Sequence, residues 1–134
     1  MNFKLPKNER LHSKKLIKEL FDKGSSFFLY PFKAFYFVPE EGETNQVLFS
    51  VSKKKIKSAV KRNLVKRRFR EAYRLNKHLL TLPSRTKLVF ALVYVSDEMI
   101  TFDKAQIAVR KLLKKISKEM ESSSTQSRHD ESKE

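Results

Sequence analysis

The sequence predicts an α+β protein in which helices cover an open sheet of three or four strands. An aromatic, β-prone segment at residues 27–38 and a continuous apolar run at Leu88–Val95 indicate strands. Amphipathic segments before, between and after these runs indicate helices that can each bury one face on the sheet. The expected order is α-β-β-α-β-α, with room for one more early strand.

A short amphipathic helix is predicted first, over residues 13–23. Ser13 can cap its N-terminus, and Gly24 suits the C′ position just after its last turn. Its apolar side chains recur at helical spacing and give one face that can be buried; they are Leu16, Ile17, Leu20 and Phe21.

Two strands are predicted next. Pro31 interrupts the aromatic segment, so the first strand is expected over residues 32–38. Val47–Val51 forms the second, after a turn-rich acidic link at residues 39–46. We expect these two strands to pair as a hairpin.

The second half of the sequence predicts a long helix, a loop, a buried strand and a last helix. The long helix is expected from about Lys57–Ser58 to about Asn76, and the loop at residues 81–86. Leu88–Val95 is apolar throughout rather than alternating, which is typical of a strand covered on both faces. Thr101 or Asp103 can cap the last helix, whose apolar face comprises Ala105, Ala108, Leu112, Ile116 and Met120.

Length and composition favour one domain at residues 1–121. Residues 122–134, SSSTQSRHDESKE, contain no apolar side chain and predict a disordered, Ser-rich tail. The chain has no cysteine, which excludes disulfides, thiolate zinc sites and cysteine nucleophiles and fits a reducing compartment. No apolar stretch is long enough for a secretory signal or a membrane span, so we expect a cytoplasmic protein without a membrane partner.

Residues 53–74 carry the strongest functional signal. Eleven of these 22 residues are Lys or Arg, Glu71 is the only acid, and the whole chain has a formal net charge of +15. Like charges crowded on one element repel one another, and a bound polyanion relieves that repulsion. At helical spacing the segment divides into an apolar face and a cationic face. That polyanion is expected to be nucleic acid, and the residues expected to bind it are Lys53, Lys54, Lys61, Arg62, Asn63, Lys66, Arg67, Arg70 and Arg74.

The aromatic segment is the second signal, with seven aromatic residues among positions 27–37. A strand presents alternate side chains to its two faces, so some of these rings are expected outside the core, where they can stack on unpaired bases. Enzymatic chemistry is not indicated. The three histidines are scattered, Asp22, Asp97 and Asp103 show no paired spacing, and no glycine-rich phosphate loop is present, so no catalytic and no metal-binding residue is predicted.

The segment FSVSKKKIKSAVKRNLVKRRFREAYR, residues 49–74, resembles the protein subunit of bacterial ribonuclease P. That family carries a strand ending in SVSKK, followed by A-V-x-R-N-R-x-K-R-x-x-R-E-A-[FY]. The opening LPKNERLHSKKLIKELFDKG and the order of the later elements are also similar, so the resemblance covers about residues 5–118. The third residue of the family's Arg-Asn-Arg signature is Leu64 here, and Arg68 adds a cation about half a turn away. The link from Lys53 to the helix is also one residue longer than in many members.

The resemblance implies a fold as well as a function. The fold is α+β in α-β-β-β-α-β-α order, of the ribosomal protein S5 domain 2-like type, with a left-handed βαβ crossover. The function is that of a holoenzyme subunit in 5′-leader removal from precursor tRNA. The partners are the catalytic RNA, which would hold Mg²⁺ together with the substrate and break the bond, and the precursor tRNA. No protein partner is required.

A cleft between the sheet and the first helix would hold the single-stranded leader, and Phe21, Phe32 and Phe35 are the expected leader contacts. A small ribosomal protein is the main alternative, because it would share the size and the basic helix. A DNA-binding regulator would need a helix-turn-helix or a dimerisation heptad. A stand-alone nuclease would need clustered carboxylates or histidines, which the sequence does not show.

Overall fold

The computed structural model describes residues 4–40 and 42–133, with side chains described as far as Glu121. Two short 3₁₀ turns, Lys7–Glu9 and Lys77–Leu79, accompany the main elements. Those elements follow the order α-β-β-β-α-β-α that the resemblance implies. In chain order they are α1 (Lys14–Lys23), β1 (Ser25–Leu29), β2 (Phe32–Phe37), β3 (Gln46–Val51), α2 (Ala59–Asn76), β4 (Val89–Tyr94) and α3 (Phe102–Lys133).

The four strands form one open mixed sheet in the order β1-β2-β4-β3. β1 pairs antiparallel with β2, β2 pairs antiparallel with β4, and β3 runs parallel to β4. The predicted hairpin between the strands at residues 32–38 and 47–51 is therefore wrong. β1, which precedes Pro31, forms the antiparallel hairpin with β2 instead. β4 lies between β2 and β3 and pairs with both.

β4 occupies an inner position because it is apolar on both faces. Five of its six residues are buried, which confirms the prediction of a strand covered on both sides. Phe90, Leu92 and Tyr94 pack in a large cluster with α2 and α3, whereas Val89 and Ala91 pack in a smaller one with Leu20 of α1. The sheet therefore has one face covered by two helices and one face covered only in part.

A side chain caps each of the three helices, and the caps at Ser13 and Thr101 are among those that the sequence predicts. Ser13 Oγ accepts from Leu16 N–H at 3.2 Å, and Ser58 Oγ accepts from Lys61 N–H at 3.3 Å. At the start of α3 the cap is a threonine rather than Asp103, since Thr101 Oγ1 accepts a hydrogen bond from the Lys104 N–H at 3.3 Å.

Gly24 ends α1 as predicted, but not in the left-handed conformation that is common for a glycine at the C′ position. Its φ is −70°, and its N–H donates to Leu20 O. A Cβ at this position would lie 2.4 Å from Leu20 O and 3.0 Å from Tyr36 O. The glycine therefore permits a close approach between the end of α1 and the backbone of β2.

The N-terminal segment covers the outer edge of β3. Arg10 forms a parallel bridge with Val47, and Leu11 N–H donates to Val47 O at 2.9 Å. Lys77 Nζ lies 2.9 Å from Glu9 Oε1, so an ion pair ties the same segment to the end of α2. The contact covers the Val47 end of this edge.

α3 continues as a helix to Lys133. The side chains of residues 122–134 are outside the described part of the chain. The prediction that these residues form a disordered tail therefore stays a prediction. The left-handed crossover that the resemblance implies stays a prediction as well. Within the described residues no helix is both long enough and apolar enough to cross a membrane.

Candidate nucleic-acid interface

α2 presents opposite faces to the core and to solvent. Val65, Phe69 and Ala72 are buried against the sheet and α3. The loop between β3 and α2, residues 52–58 (the lysine loop), leads into the exposed face. Among the predicted RNA-binding residues, Arg62, Lys66 and Arg74 are half-buried, and the exposed ones are Lys53, Lys54, Lys61, Asn63, Arg67 and Arg70.

Arg62 is engaged by the protein itself. Its Nη1 donates to the carbonyl oxygens of Ile56 at 2.9 Å and Lys57 at 2.7 Å. Both acceptors lie in the lysine loop, so the guanidinium holds the loop against the first turn of α2. This geometry gives Arg62 a positioning role for the loop lysines, beside any contact that its remaining N–H groups make with RNA.

Arg68 is also a structural residue. Its Nη1 donates to Ile100 O at 2.6 Å, which joins α2 to the segment before α3. The additional cation therefore does not replace the arginine that the family carries where this chain has Leu64. Leu64 itself is half-buried.

An arginine-lined pocket of about 290 Å³ lies where the N-terminal segment meets α2. Glu71 forms an ion pair with Arg74, and the hydrogen bond from Arg74 lowers the pKa of the Glu71 carboxyl. Four cations against one carboxylate leave the pocket strongly positive, which suits a phosphate group. Its lining residues are Leu5, Arg10, Arg67, Arg70, Glu71 and Arg74.

Arg10 was not among the predicted site residues. It lies 49 residues before Ala59, where the basic helix begins, and the docking of the N-terminal segment on β3 brings it there. Its Nε and Nη2 both donate to Leu5 O, at 3.3 and 3.1 Å. No sequence pattern marks such a residue, because an isolated arginine near a terminus is usually a solvated side chain.

A second cationic pocket lies at the N-terminal end of α2. It has a volume of about 330 Å³, and three lysines line it, Lys55, Lys57 and Lys61, together with Asp97 and Met99. The first helical turn contributes a partial positive charge. The two pockets place cationic groups at the start and in the middle of α2.

The prediction that Phe32 contacts a leader is wrong. Phe32 is 1 % exposed, and its ring centroid lies 4.7 Å from that of Phe69 and 6.2 Å from that of Tyr94. Strand alternation turns its side chain toward α2 and α3. A base cannot reach this ring without opening the core.

Phe21 and Phe35 lie together on the other face of the sheet. Their ring centroids are 4.7 Å apart in an edge-to-face arrangement, and Phe21 is 41 % exposed. Phe35 is half-buried beside α1. The pair forms an aromatic wall where α1 meets the sheet, which keeps both as candidates for base contact.

A row of four residues crosses this face beside the aromatic wall. The strand registers place Phe28 opposite Lys33, Lys33 opposite Val93 and Val93 opposite Ser50, so all four share one face. Phe28 is 61 % exposed, and Lys33 Nζ lies 5.4 Å from the centroid of the Phe35 ring. We call this row the open row. Phe28 and Lys33 were not among the predicted site residues. Alternation along β2 places Lys33 on the same face as Phe35, and the pairing of β1 with β2 adds Phe28.

Within residues 4–40 and 42–121, no group of three or more His, Asp or Glu side chains could hold a metal ion. What the described chain offers is cations for phosphate and aromatic rings for bases, on two faces joined by the lysine loop.

A cationic helix face and a partly open, aromatic-lined sheet define this chain as an RNA-binding protein of the α+β class. The chain belongs to the ribonuclease P protein family, since the family model described as Ribonuclease P matches residues 5–117. The chain is 40 % identical over 126 residues to a ribonuclease P protein component from Porphyromonas gingivalis, covering 90 % of this chain and 92 % of that one. It is thus a protein subunit of an endoribonuclease in which the RNA part is catalytic.

Solved structures show the same fold. The ribonuclease P protein of Staphylococcus aureus superposes with a TM-score of 0.66 at 22 % identity, covering 79 % of this chain and 93 % of that one. The protein from Thermotoga maritima gives a TM-score of 0.65 at 21 % identity, covering 80 % and 96 %. These similarities confirm the predicted α+β class, with four strands in the sheet and three helices.

Proposed function

We propose that this subunit uses two surfaces at once. The exposed face of α2 and the lysine loop bind the ribonuclease P RNA. The aromatic wall and the open row bind the single-stranded 5′ leader of precursor tRNA. The observation that supports this division is the asymmetry of the sheet: α2 and α3 cover one face, whereas α1 leaves Phe28 and Lys33 exposed on the other.

The lysine loop connects the two surfaces along the chain. The loop begins at Ser52, and only Val51 separates it from Ser50 at the end of the open row. Its other end leads directly into α2. Lysines at this position can neutralise phosphates of both RNAs near their junction. The chain therefore contributes binding and charge neutralisation, and the RNA subunit cleaves the bond.

Mg²⁺ enters this proposal through the RNA subunit and the substrate, where it would activate water for phosphodiester hydrolysis. The residues of this chain lower phosphate repulsion around that centre, so less Mg²⁺ is needed for the same assembly. We also propose a cytoplasmic location, which the absence of cysteine fits.

The decisive experiment is cleavage of a precursor tRNA by a bacterial ribonuclease P RNA at low Mg²⁺, with and without this protein. We expect strong stimulation by the wild-type chain and little by the variant Arg67→Ala/Arg70→Ala. The matched control is Lys114→Gln/Lys118→Gln, which removes two exposed charges from α3. Equal loss in both variants would show that only total charge matters, and no stimulation by wild type would overturn the proposal.

A further inference from the structure

An exposed aromatic residue, Tyr30, lies at the turn between β1 and β2. It is 65 % exposed, yet its hydroxyl donates to Ser96 Oγ at 3.1 Å. Ser96 is only 5 % exposed, and its Oγ also accepts from the Glu98 N–H at 3.2 Å. The ring is therefore anchored at its hydroxyl while the rest of the side chain stays open to solvent, so little rotamer freedom remains to be lost on binding.

Tyr30 forms one wall of a groove of about 200 Å³. On α3, the positions 104, 107, 108 and 111 recur on one face, and they line the opposite wall. Ile107 is 51 % exposed there, between Lys104 and Lys111. The groove thus combines an aromatic ring, apolar side chains and two lysines about two turns apart on α3.

The groove adjoins the lysine-lined pocket at the start of α2. Residues 97–100 form the partition between them: Asp97 and Met99 line the pocket of Lys55, Lys57 and Lys61, whereas Glu98 and Ile100 line the groove of Tyr30. A strand of RNA bound at the N-terminal end of α2 can therefore continue over this partition. The arrangement extends the candidate interface to the side of α3 that carries Lys104 and Lys111.

We propose that the Tyr30 groove binds an unpaired nucleotide of the ribonuclease P RNA. The base stacks on Tyr30, and Lys104 and Lys111 contact the flanking phosphates. Stacking on an aromatic side chain tolerates any base and is typical of protein contacts with single-stranded RNA. Glu98 can accept a hydrogen bond from a base amino group at the edge of the groove. The inference rests on the proposed binding of the same RNA by α2.

The first test is the affinity of the full-length chain for the ribonuclease P RNA alone. Tyr30→Ala should weaken binding about ten-fold, and Tyr30→Phe, which keeps the ring, should weaken it by no more than about two-fold. Lys104→Gln/Lys111→Gln should make the salt dependence shallower by up to about two units. Lys14→Gln/Lys18→Gln removes two exposed lysines from α1 as the charge-matched control. Wild-type affinity in Tyr30→Ala, or an equal loss in that control, would overturn the inference.

The second test maps the occupant. Because the chain contains no cysteine, Ile107→Cys introduces a unique thiol to which an iron chelate can be attached for local hydroxyl-radical cleavage. We expect strand cuts at an unpaired segment of the ribonuclease P RNA. Cuts only in the tRNA leader, or no RNA cuts, would refute the assignment. If the wild-type chain fails to bind the RNA at all, the proposed function fails, whereas loss of the Tyr30 effects alone overturns only this inference.

Discussion

Arg67 and Arg68 are neighbours on α2, and their guanidinium groups serve different purposes. Arg67 is exposed and lines the arginine-lined pocket with Arg70 and Arg74. Arg68 donates to Ile100 O and holds the segment before α3 in place. One residue of helical rotation, about 100°, moves a cation from the solvent face to the seam between two elements.

β2 shows the same division among aromatic residues. Phe32 is enclosed by Phe69 and Tyr94, whereas Phe35 lies half-buried against the exposed ring of Phe21. In both pairs the residue type is the same and the environment differs. A basic or aromatic segment therefore combines residues that support the fold with residues that are free to bind, and these two roles predict different phenotypes.

The largest effect should come from Phe32→Ala, which leaves a cavity in the core. We expect the free energy of unfolding to fall by about 3–5 kcal/mol, as for other buried phenylalanines. Urea denaturation followed by circular dichroism would measure the loss. Phe35→Ala, at a half-buried position, is the comparison and should lose clearly less. Similar losses in both would contradict the division of β2 into a core face and a binding face.

The next largest effect should be that of Arg67→Ala/Arg70→Ala on RNA binding. Two charge-assisted contacts to phosphate are removed, so affinity for the ribonuclease P RNA should fall roughly 100-fold. The salt dependence should become shallower by about two units. Filter binding over a range of salt concentrations gives both quantities. An unchanged slope would mean that these arginines do not contact phosphate.

Arg68→Ala should lower stability rather than RNA affinity. It leaves Ile100 O without its donor, which should reduce the free energy of unfolding by about 1–3 kcal/mol. The matched control is Arg67→Ala, which removes the same charge one residue away and should leave stability nearly unchanged. A loss of RNA affinity in Arg68→Ala as large as that in Arg67→Ala would show that the structural contact is not the main role of Arg68.

The smallest effect should be that of Phe21→Ala on leader recognition. Loss of one partly exposed ring should weaken binding of precursor tRNA by the holoenzyme about five-fold, within the range for single stacking contacts. Comparing a substrate with a long leader and one with a single leader nucleotide isolates the effect. An equal loss for both substrates would place Phe21 outside the leader site.

Much of the fold could be predicted because local patterns determine it. The extent of α2, the caps at Ser13 and Thr101 and the burial of β4 on both faces all follow from periodicity and capping chemistry. The pairing of strands did not follow from local patterns. β2 pairs with β1 on one edge and with β4 on the other, so no edge of β2 remains for β3, and the choice of partners depends on the burial of whole faces. The reason for Gly24 also differed, since close approach to Tyr36 O depends on a partner that is distant in sequence.

The sequence by itself determined the elements, the family and the concentration of positive charge on one helix. Only the tertiary structure decided which of those charges remain available, because Arg62 and Arg68 donate to backbone carbonyls that packing brings within reach. It also placed Arg10 beside α2 and Tyr30 beside α3. Residue type and spacing fix which interactions a side chain can make, and burial and neighbours distant in sequence fix which of them it does make.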